Sequence, residues 1–400
     1  MGINKKMNIL FISAGASITG VPVFFVSMMK WMKSNADFTF SILTSGEGPL
    51  KPEYNKIATT YNWDGWLETK WHDRYYILRL FKRIFRTLFH INQPTYRSFL
   101  INKLEKEKFD LIYVNSVSSL SIFNEIKDRL KIKVILHVHE LQISIVQFCG
   151  VDLLNQNLSR CNKVIAISDA VAKNLRKNFN IPDDKISVVY TFSEISKAKN
   201  MPLAKTRIEI REQINIPHDA VLVGSAGTTE WRKGSDLVFH IAKRIKATYN
   251  KDIYFMWVGG DSKGLEYQKL MYDFEKIGLQ SNVRFLGVKE NPLEYFAAID
   301  IFMLCSREEP VGMVALEAAS LAKPILCFDQ AGGMPEFVEN DCGFIIPYLD
   351  TDKMAEMIIL LADEPELREQ LGKNAAMKVK RHDINIACKE IETIINNTLK

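Results

Sequence analysis

The sequence predicts an α/β protein with two domains, each built on a doubly wound parallel sheet. In both halves of the 400-residue chain, short apolar runs alternate with stretches of helical periodicity. This alternation is typical of parallel strands that are covered by helices on both faces. The chain is also long enough for two or three domains with separate cores. A polar, Lys-rich stretch at 193–202 is expected to link the two halves.

Apolar runs place the strands of both halves. In the first half we predict strands at 8–12, 38–44, 110–115, 133–137, 163–167 and 186–190. In the second half we predict strands at 221–226, 253–258, 283–286, 299–305, 324–328 and 343–346. Helices are expected at 23–33, 235–249, 312–322, 354–362, 365–381 and 384–399. A further helix should begin after Ser168, which is a typical cap residue, and run to Phe179.

The loop after the first predicted strand is rich in small residues. Gly15 and Gly20 are separated as in a phosphate-binding loop, but Val21-Pro22 stands where such a loop needs Lys-Ser/Thr. The sequence therefore disfavours a nucleoside triphosphatase. The two glycines fit a loop that faces a ligand, and they equally fit a plain tight turn.

The junction between the strand at 299–305 and the helix at 312–322 is the clearest candidate site. Glu309 lies in the turn, and Glu317 follows about two helical turns later. Ligands of open α/β sheets bind at the carboxyl ends of strands, and the N–H groups of a helix start suit a phosphate. The alternative is that Glu309 caps the helix and Glu317 is a solvated helix residue.

This junction resembles the signature of retaining glycosyltransferases of family 4, which have the GT-B fold. The resemblance is carried by Glu309 and Glu317 with seven residues between them and by Gly312 inside that interval. Two other stretches match in order and spacing, at 227–234 and at 332–337. Together the resemblance spans nearly all of residues 7–395 and is more specific in the second half.

The sequence departs from the family pattern at two places. The family often has an Arg directly after the first loop glycine, where this chain has Thr228, and Arg232 beside Lys233 is expected to supply the charge. The family's small-aromatic pair after the first Glu is here Pro310-Val311.

The resemblance implies two Rossmann-like domains that face each other across a cleft. Residues 1–195 would bind the acceptor, 196–382 would bind the nucleotide-sugar, and 383–400 would form a helix that crosses back to the first domain. It implies a retaining hexosyltransferase of class EC 2.4. The donor would be a UDP- or GDP-sugar, and the acceptor a glycan or a lipid-linked molecule of cell-surface polysaccharide synthesis.

The resemblance also implies roles for individual residues. Glu309 would hold the hydroxyls of the donor sugar, His139 would face that sugar, and both are the expected catalytic residues. Glu317 would accept a hydrogen bond from the ribose. The expected donor-binding residues are Gly20, Gly227, Thr228, Arg232, Lys233, Val311, Gly312, Met313, Val314 and Glu317. Fixed donors such as these can stabilise the charge of a leaving diphosphate, so neither a metal nor a cofactor is expected.

Two other classes of function stay open on the same residues. A sugar-nucleotide epimerase would release nucleotide without an acceptor, and a phosphorylase would need phosphate. A non-catalytic nucleotide-sugar binding protein would bind the donor, but substitution of Glu309 would remove no activity.

Composition indicates which binding partners and which cellular compartment are expected. The net charge of +5 is mild, which fits acidic small molecules or a membrane surface better than nucleic acid. The six cysteines are scattered without a Cys-x-x-Cys pair, as expected for reduced thiols in the cytoplasm. The run at 7–13 is too short for a signal peptide. His137 and His139 could indicate a metal, but no third cluster of ligands accompanies them.

The region at 66–108 is rich in aromatic and basic residues. Within 76–91, apolar residues recur at helical spacing and most bases fall on other faces. Such a basic amphipathic helix suits an anionic membrane surface, and we expect peripheral attachment at the inner membrane face. The alternative is a domain helix with a solvated basic face.

We expect the protein to float with anionic vesicles at low salt and to detach as salt rises. Changing Lys82, Arg83 and Arg86 to Gln should weaken this binding, because each base near an anionic surface contributes about 1 kcal/mol. Vesicle flotation measures the effect, with neutral vesicles as the control. Protein that stays in the soluble fraction with anionic vesicles at low salt would refute membrane attachment.

Overall fold

The computed structural model describes residues 6–65, 96–193, 195, 198 and 201–400. The amphipathic helix predicted at 76–91 lies outside the described residues, as does part of the predicted linker. The strands are β1 Asn8–Ala14, β2 Thr39–Ser45, β3 Thr59–Asn62, β4 Leu111–Asn115, β5 Lys133–Val138, β6 Lys163–Ala166, β7 Ile186–Val188, β8 Val221–Ala226, β9 Ile253–Val258, β10 Val283–Phe285, β11 Ile301–Leu304, β12 Ile325–Phe328 and β13 Gly343–Ile346.

Helices occupy most of the connections between these strands. In chain order they are α1 Gly20–Asn35, α2 Lys51–Ile57, α3 Tyr96–Lys106, α4 Leu120–Ile126, α5 Gln142–Phe148, α6 Val151–Leu158, α7 Asp169–Phe179, α8 Leu203–Gln213, α9 Leu237–Thr248, α10 Leu265–Lys276, α11 Pro292–Ala298, α12 Met313–Ser320, α13 Met334–Val338, α14 Thr351–Asp363, α15 Pro365–Lys378 and α16 Ile384–Leu399.

The first sheet has the strand order β3-β2-β1-β4-β5-β6-β7 within the described residues. Its strands β1 to β5 pair in parallel. All five residues of β4 are buried, as the continuous apolar run predicts for a parallel strand covered on both faces. The order reverses between β1 and β4.

The second sheet has the order β10-β9-β8-β11-β12-β13. Here the order reverses between β8 and β11, which pair in parallel with Ile301 opposite Val223. Open α/β sheets bind ligands at such a reversal, beyond the carboxyl ends of the two strands. The loops after β8 and β11 are the two stretches that carry most of the predicted site residues.

The second sheet is held by an apolar core beneath its helices. Trp257 and Phe285 stack at 5.9 Å between ring centroids, and Phe274 of α10 packs beside them, fully buried. Burial of aromatic side chains dominates the stability of such cores.

The strands of the second half agree with the predicted ones, and those at 221–226, 253–258 and 343–346 agree to the residue. Most of the helices that sequence periodicity did not predict are short. Examples are α2, α5 and α11, with seven residues each, which are too short to display a repeating apolar face.

The chain divides into two compact units. One comprises Met1–His137, Phe148–Val164 and Ile394–Lys400, and the other comprises Val138–Gln147 and Ile165–Thr393. The domain boundaries predicted from sequence, at 195 and 382, stay predictions. Among the described residues, no helix combines the length and apolar character needed to cross a bilayer.

A buried charge cluster fixes the amino end of β11 beside β8. Asp300 accepts from the backbone N–H of Leu222 at 2.8 Å, and its own N–H donates to the Leu222 carbonyl at 2.8 Å. The same carboxylate pairs with the fully buried Arg211 at 2.7 Å and with Arg207 at 2.8 Å. Burial raises the pKa of Asp300, but the two guanidinium groups outweigh it and hold that pKa below its usual value. The register of the two central strands is therefore locked at their start.

We expect Arg211→Ala to lower the free energy of unfolding by about 3–5 kcal/mol, the typical cost of breaking a buried ion pair from one side. Urea denaturation, monitored by circular dichroism, measures the free energy of unfolding. Arg207→Ala is the matched control, because Arg207 meets the same carboxylate from a partly exposed position and should cost less. Equal effects of the two changes would contradict this account.

Candidate functional site

Two charged side chains meet where the second sheet reverses its strand order. Lys233, in the loop after β8, donates from Nζ to Oε2 of Glu309 in the loop after β11. Ser306 donates from Oγ to the same carboxylate oxygen at 3.1 Å. Glu309 is buried, and these two hydrogen bonds compensate in part for the lost hydration of its carboxylate.

Arg232 joins the two loops through both its backbone and its side chain. Its carbonyl oxygen accepts from Arg307 N at 2.8 Å, and its guanidinium donates to the Glu308 carbonyl at 3.1 Å. The guanidinium also lies 3.9 Å from Oε1 of Glu309. The structure therefore brings a second positive charge next to Lys233, where the sequence departs from the family pattern.

Thr228 takes a different part in the same loop. Its hydroxyl donates to Glu230 at 2.7 Å, and the Glu230 carboxylate lies 3.4 Å from the Arg232 guanidinium. Thr228 thus contributes polarity but no charge. Glu230 places a partly exposed negative charge at the edge of the cationic pair.

Gly227 allows the Lys233 side chain to lie against the loop backbone. A β-carbon at this position would lie 3.1 Å from Cγ and Cδ of Lys233, and the residue has φ +148°. The Gly227 carbonyl accepts from the buried Trp257 indole at 2.9 Å. The absence of a side chain at Gly227 therefore leaves room for the Lys233 side chain.

The start of α12 forms the third part of the site. Gly312 is its N-cap residue and has no side chain to offer as a cap. Its carbonyl accepts from Ala315 N at 2.8 Å and from Leu316 N at 3.1 Å. Val311 is buried, Met313 and Val314 are half-buried, and Glu317 lies half-buried on the helix itself. Because Glu309 is engaged by Lys233 and Ser306, its contacts do not match the alternative in which it caps this helix.

His139 follows β5 and is buried in the same unit as Glu309. Burial lowers its pKa to about 3, so the ring is neutral at physiological pH. Its backbone N–H donates to the carboxylate of Glu140 at 2.8 Å. Gly20 lies in the other unit, exposed at the start of α1.

No group of three or more His, Cys, Asp or Glu side chains is placed to hold a metal ion in the described parts of the chain. His137 instead shares a hydrogen bond of 2.7 Å between Nδ1 and the Tyr113 hydroxyl. The sequence contains one Asp-x-Asp triplet, Asp350-Thr351-Asp352. Asp350 caps α14 by accepting from Lys353 N at 2.8 Å, and Asp352 lies 3.5 Å from Arg244.

Three polar residues of the site escaped the sequence reasoning. Ser306 and Glu308 lie within the junction between β11 and α12, and Glu230 lies in the loop after β8. Ser is common in turns, and Ser306 and Glu230 bond to residues only three or two positions away. The side-chain partners of Glu308 instead lie far away in sequence, at Ile143 and Ser144. Closeness to Glu309, by one position for Glu308 and three for Ser306, was the only available signal for these two residues.

Comparison with known families gives two matches. The model described as Glycosyltransferase Family 4 matches residues 18–196, and the model described as Glycosyl transferases group 1 matches residues 206–378. Together the two matches span most of both halves of the chain.

Individual relatives are distant. A D-inositol 3-phosphate glycosyltransferase of Saccharomonospora viridis is 23% identical over 234 residues, which are 56% of this chain and 53% of that protein. The chain thus spans about half the length of that relative. An O-antigen biosynthesis glycosyltransferase, WclY, of Escherichia coli is 25% identical over 58% of this chain and 64% of that protein.

Solved structures share the fold over the whole chain. The crystal structure of Anabaena Alr3699/HepE in complex with UDP-glucose matches with a TM-score of 0.76 and 19% identity. The match covers 98% of this chain and 100% of that one.

We expect acid to destabilise the protein partly through His139. The folded state keeps a pKa of about 3 at this ring, whereas the unfolded chain takes up a proton near pH 6.5. Above pH 6.5 the His139 ring is neutral in both states and does not reduce the free energy of unfolding. As the pH falls from 6.5 towards 3, protonation of the unfolded chain lowers the free energy of unfolding by at most about 1.4 kcal/mol per pH unit.

Thermal unfolding of the wild type and of His139→Gln at pH 7.5 and pH 5 tests this. The variant should lose less stability between the two pH values. Substitution of the exposed His218 by Gln is the matched control and should follow the wild type. Equal acid sensitivity of His139→Gln and the wild type would refute the role of burial.

Proposed function

Since this chain belongs to the group 1 glycosyltransferases with the GT-B fold, we propose that it transfers a sugar from a nucleotide-sugar to a glycan or lipid-linked acceptor. The donor is a UDP- or GDP-sugar, and the sugar keeps its anomeric configuration. The product belongs to cell-surface polysaccharide. Two observations on similar proteins support the choice of donor and of product: HepE was crystallised with UDP-glucose, and WclY is named for O-antigen biosynthesis.

The observation that carries the proposal is the cluster of Lys233, Arg232 and Glu309 at the strand reversal. Breaking the anomeric bond moves negative charge onto the outer phosphate of the leaving diphosphate. Positive groups fixed beside that phosphate lower the barrier, because they stabilise the charge as it develops. Lys233 and Arg232 supply two such charges, and the N–H groups at the start of α12 can add their dipole.

In this proposal, the ion pair between Lys233 and Glu309 couples binding of the diphosphate to binding of the sugar. An arriving diphosphate competes with Glu309 for Lys233. Release of Glu309 from Lys233 leaves its carboxylate able to accept hydrogen bonds from the sugar hydroxyls. Glu309 is therefore assigned to the donor sugar and Lys233 to the diphosphate, and both contacts form in the same step. Glu317 on α12 is assigned to the ribose.

Retention is assigned to front-face displacement. The bond between the anomeric carbon and the diphosphate oxygen breaks, and the acceptor oxygen forms its bond on the same face. The departing phosphate oxygen takes up the proton that the acceptor hydroxyl loses. The neutral His139 ring is assigned to the donor sugar as a hydrogen-bonding group, since burial lowers its pKa to about 3.

We place the reaction at the cytoplasmic side of a membrane, with peripheral attachment through the basic region at 66–97. This placement is motivated by the sequence of that region. Flotation with anionic vesicles is its test.

A thermal-shift screen tests donor binding. The panel contains UDP-glucose, UDP-N-acetylglucosamine, GDP-mannose and, as controls, ATP and free glucose. A ligand that binds only the folded protein raises the melting temperature by an amount that grows with the logarithm of its concentration relative to its Kd. A shift with one sugar nucleotide and none with ATP supports the proposal, and no shift with any sugar nucleotide contradicts it. Nucleotide release that accelerates when acceptor is added then separates a transferase from an epimerase, which needs no acceptor.

We expect Lys233→Ala and Arg232→Ala each to weaken binding of the sugar nucleotide by about 1.5–3 kcal/mol, the scale of a hydrogen bond to a charged group. Isothermal titration calorimetry measures the affinity. Lys246→Ala, at an exposed position of α9, is the matched control. If both site variants bind the donor like the wild type, these residues are outside the donor site.

We expect Glu309→Gln to lower turnover far more than donor affinity. The contact of Glu309 with the sugar should strengthen as charge develops, and such a contact contributes to the rate rather than to ground-state binding. Initial rates of nucleotide release, compared with the calorimetric affinity, separate the two effects. Wild-type turnover in this variant would remove Glu309 from the reaction.

A further inference from the structure

Glu308, the residue before Glu309, is a buried acid with three hydrogen bonds of its own. Its carboxylate accepts from Ile143 N at 2.8 Å, from Ser144 N at 3.0 Å and from Ser144 Oγ at 2.9 Å. The side chain is only 8% exposed. A carboxylate at a helix start also interacts favourably with the helix dipole, and here the helix is α5.

A second contact brings the same segment against the Glu309 loop. Gly332 has φ +146°, and a β-carbon at this position would collide with the Glu309 carbonyl oxygen and lie 3.0 Å from Cδ1 of Leu141. Leu141 is itself buried. Only a glycine allows these two backbone segments to approach so closely.

The arrangement is repeated at the start of α7. Glu336 accepts from Asp169 N at 2.9 Å and from Ala170 N at 2.6 Å, and Ser168 Oγ donates to the Pro310 carbonyl at 2.9 Å. Pro310 follows Glu309 directly. The loop that carries Glu309 is therefore held on both sides, by Glu308 at α5 and by Pro310 at the cap of α7.

These contacts fix the distance between two parts of the proposed site. His139 lies in the short segment between β5 and α5, and Glu309 lies next to Glu308. Both segments belong to one compact unit. Burying a carboxylate is costly unless hydrogen bonds compensate for its lost hydration, and all three of those described for Glu308 come from Ile143 and Ser144.

We propose that Glu308 is a positioning residue that sets the place of His139 relative to Glu309. The inference rests on the proposed glycosyl transfer. Glu308 itself does not touch the donor in this scheme; it acts through the segment at 139–144. Misplacing a reacting group by about 1 Å can cost about 100-fold in rate.

The test compares Glu308→Gln with Asp350→Asn. Both changes replace a carboxylate at a helix start by its amide, and Asp350 caps α14 with a hydrogen bond of 2.8 Å to Lys353 N. The amide of Glu308→Gln turns an N–H group towards donors that need an acceptor. Binding of UDP is measured by calorimetry, and turnover is measured as UDP release from UDP-glucose with water as the acceptor.

We expect Glu308→Gln to bind UDP within about twofold of the wild type and to lose at least about tenfold in kcat. Asp350→Asn should keep both values. Hydrogen exchange at Ile143 N or Ser144 N should accelerate in Glu308→Gln only, because these groups donate to different carboxylate oxygens and the amide keeps only one of the two acceptors. Ser144→Ala removes one of three hydrogen bonds and should have a smaller effect on kcat.

An active wild type together with unchanged kcat in Glu308→Gln would overturn the positioning role and leave the proposed function standing. A parallel loss of kcat in Asp350→Asn would also overturn it, because the effect would then be general destabilisation. A wild type that releases no nucleotide from any sugar nucleotide of the panel, with or without acceptor, would overturn the proposed function and this inference together.

Discussion

The pairing of β11 with β8 is the constraint on which the rest of the site depends. At the amino end, the Asp300 carboxylate with Arg211 and Arg207 fixes the register of these strands. At the carboxyl end, the loops that follow them are joined through the backbone and side chain of Arg232. Because parallel neighbours end at the same edge, residues 76 positions apart in sequence, Lys233 and Glu309, come into contact there.

The sequence predicted every described strand except β3, Thr59–Asn62, but not the whole of the site. Buried parallel strands are continuous apolar runs, so strands such as β8 and β9 could be predicted to the residue. The resemblance placed Lys233 and Glu309 in one expected site, but it did not predict the direct contact between them. The contact of Glu308 with Ser144 could not be predicted, since a side-chain hydrogen bond across 164 residues leaves no period in the sequence. The roles of the site residues in binding and catalysis stay predictions.

The loop after β8 differs from the family pattern in the position of its positive charge. Thr228 occupies the position where the family often has an Arg, and its hydroxyl engages Glu230. Arg232 reaches the same region from the end of the loop, but it also bonds to the Glu308 carbonyl. Arg232 therefore both joins the two loops and places a positive charge near Glu309. Glu308 contacts Arg232 through its backbone carbonyl and the start of α5 through its side chain.

The ion pair between Lys233 and Glu309 gives the proposed donor site its own counterion. In the proposed reaction a diphosphate would replace Glu309 as the counterion of Lys233, so one anion would be exchanged for another and few dissolved ions would be released. Dissolved salt competes mainly with exposed charges and screens buried pairs much less. Under this proposal, binding of an anionic donor should tolerate ionic strength better than the donor's charge alone would indicate, and simple anions should be poor competitors for a lysine that already has a partner.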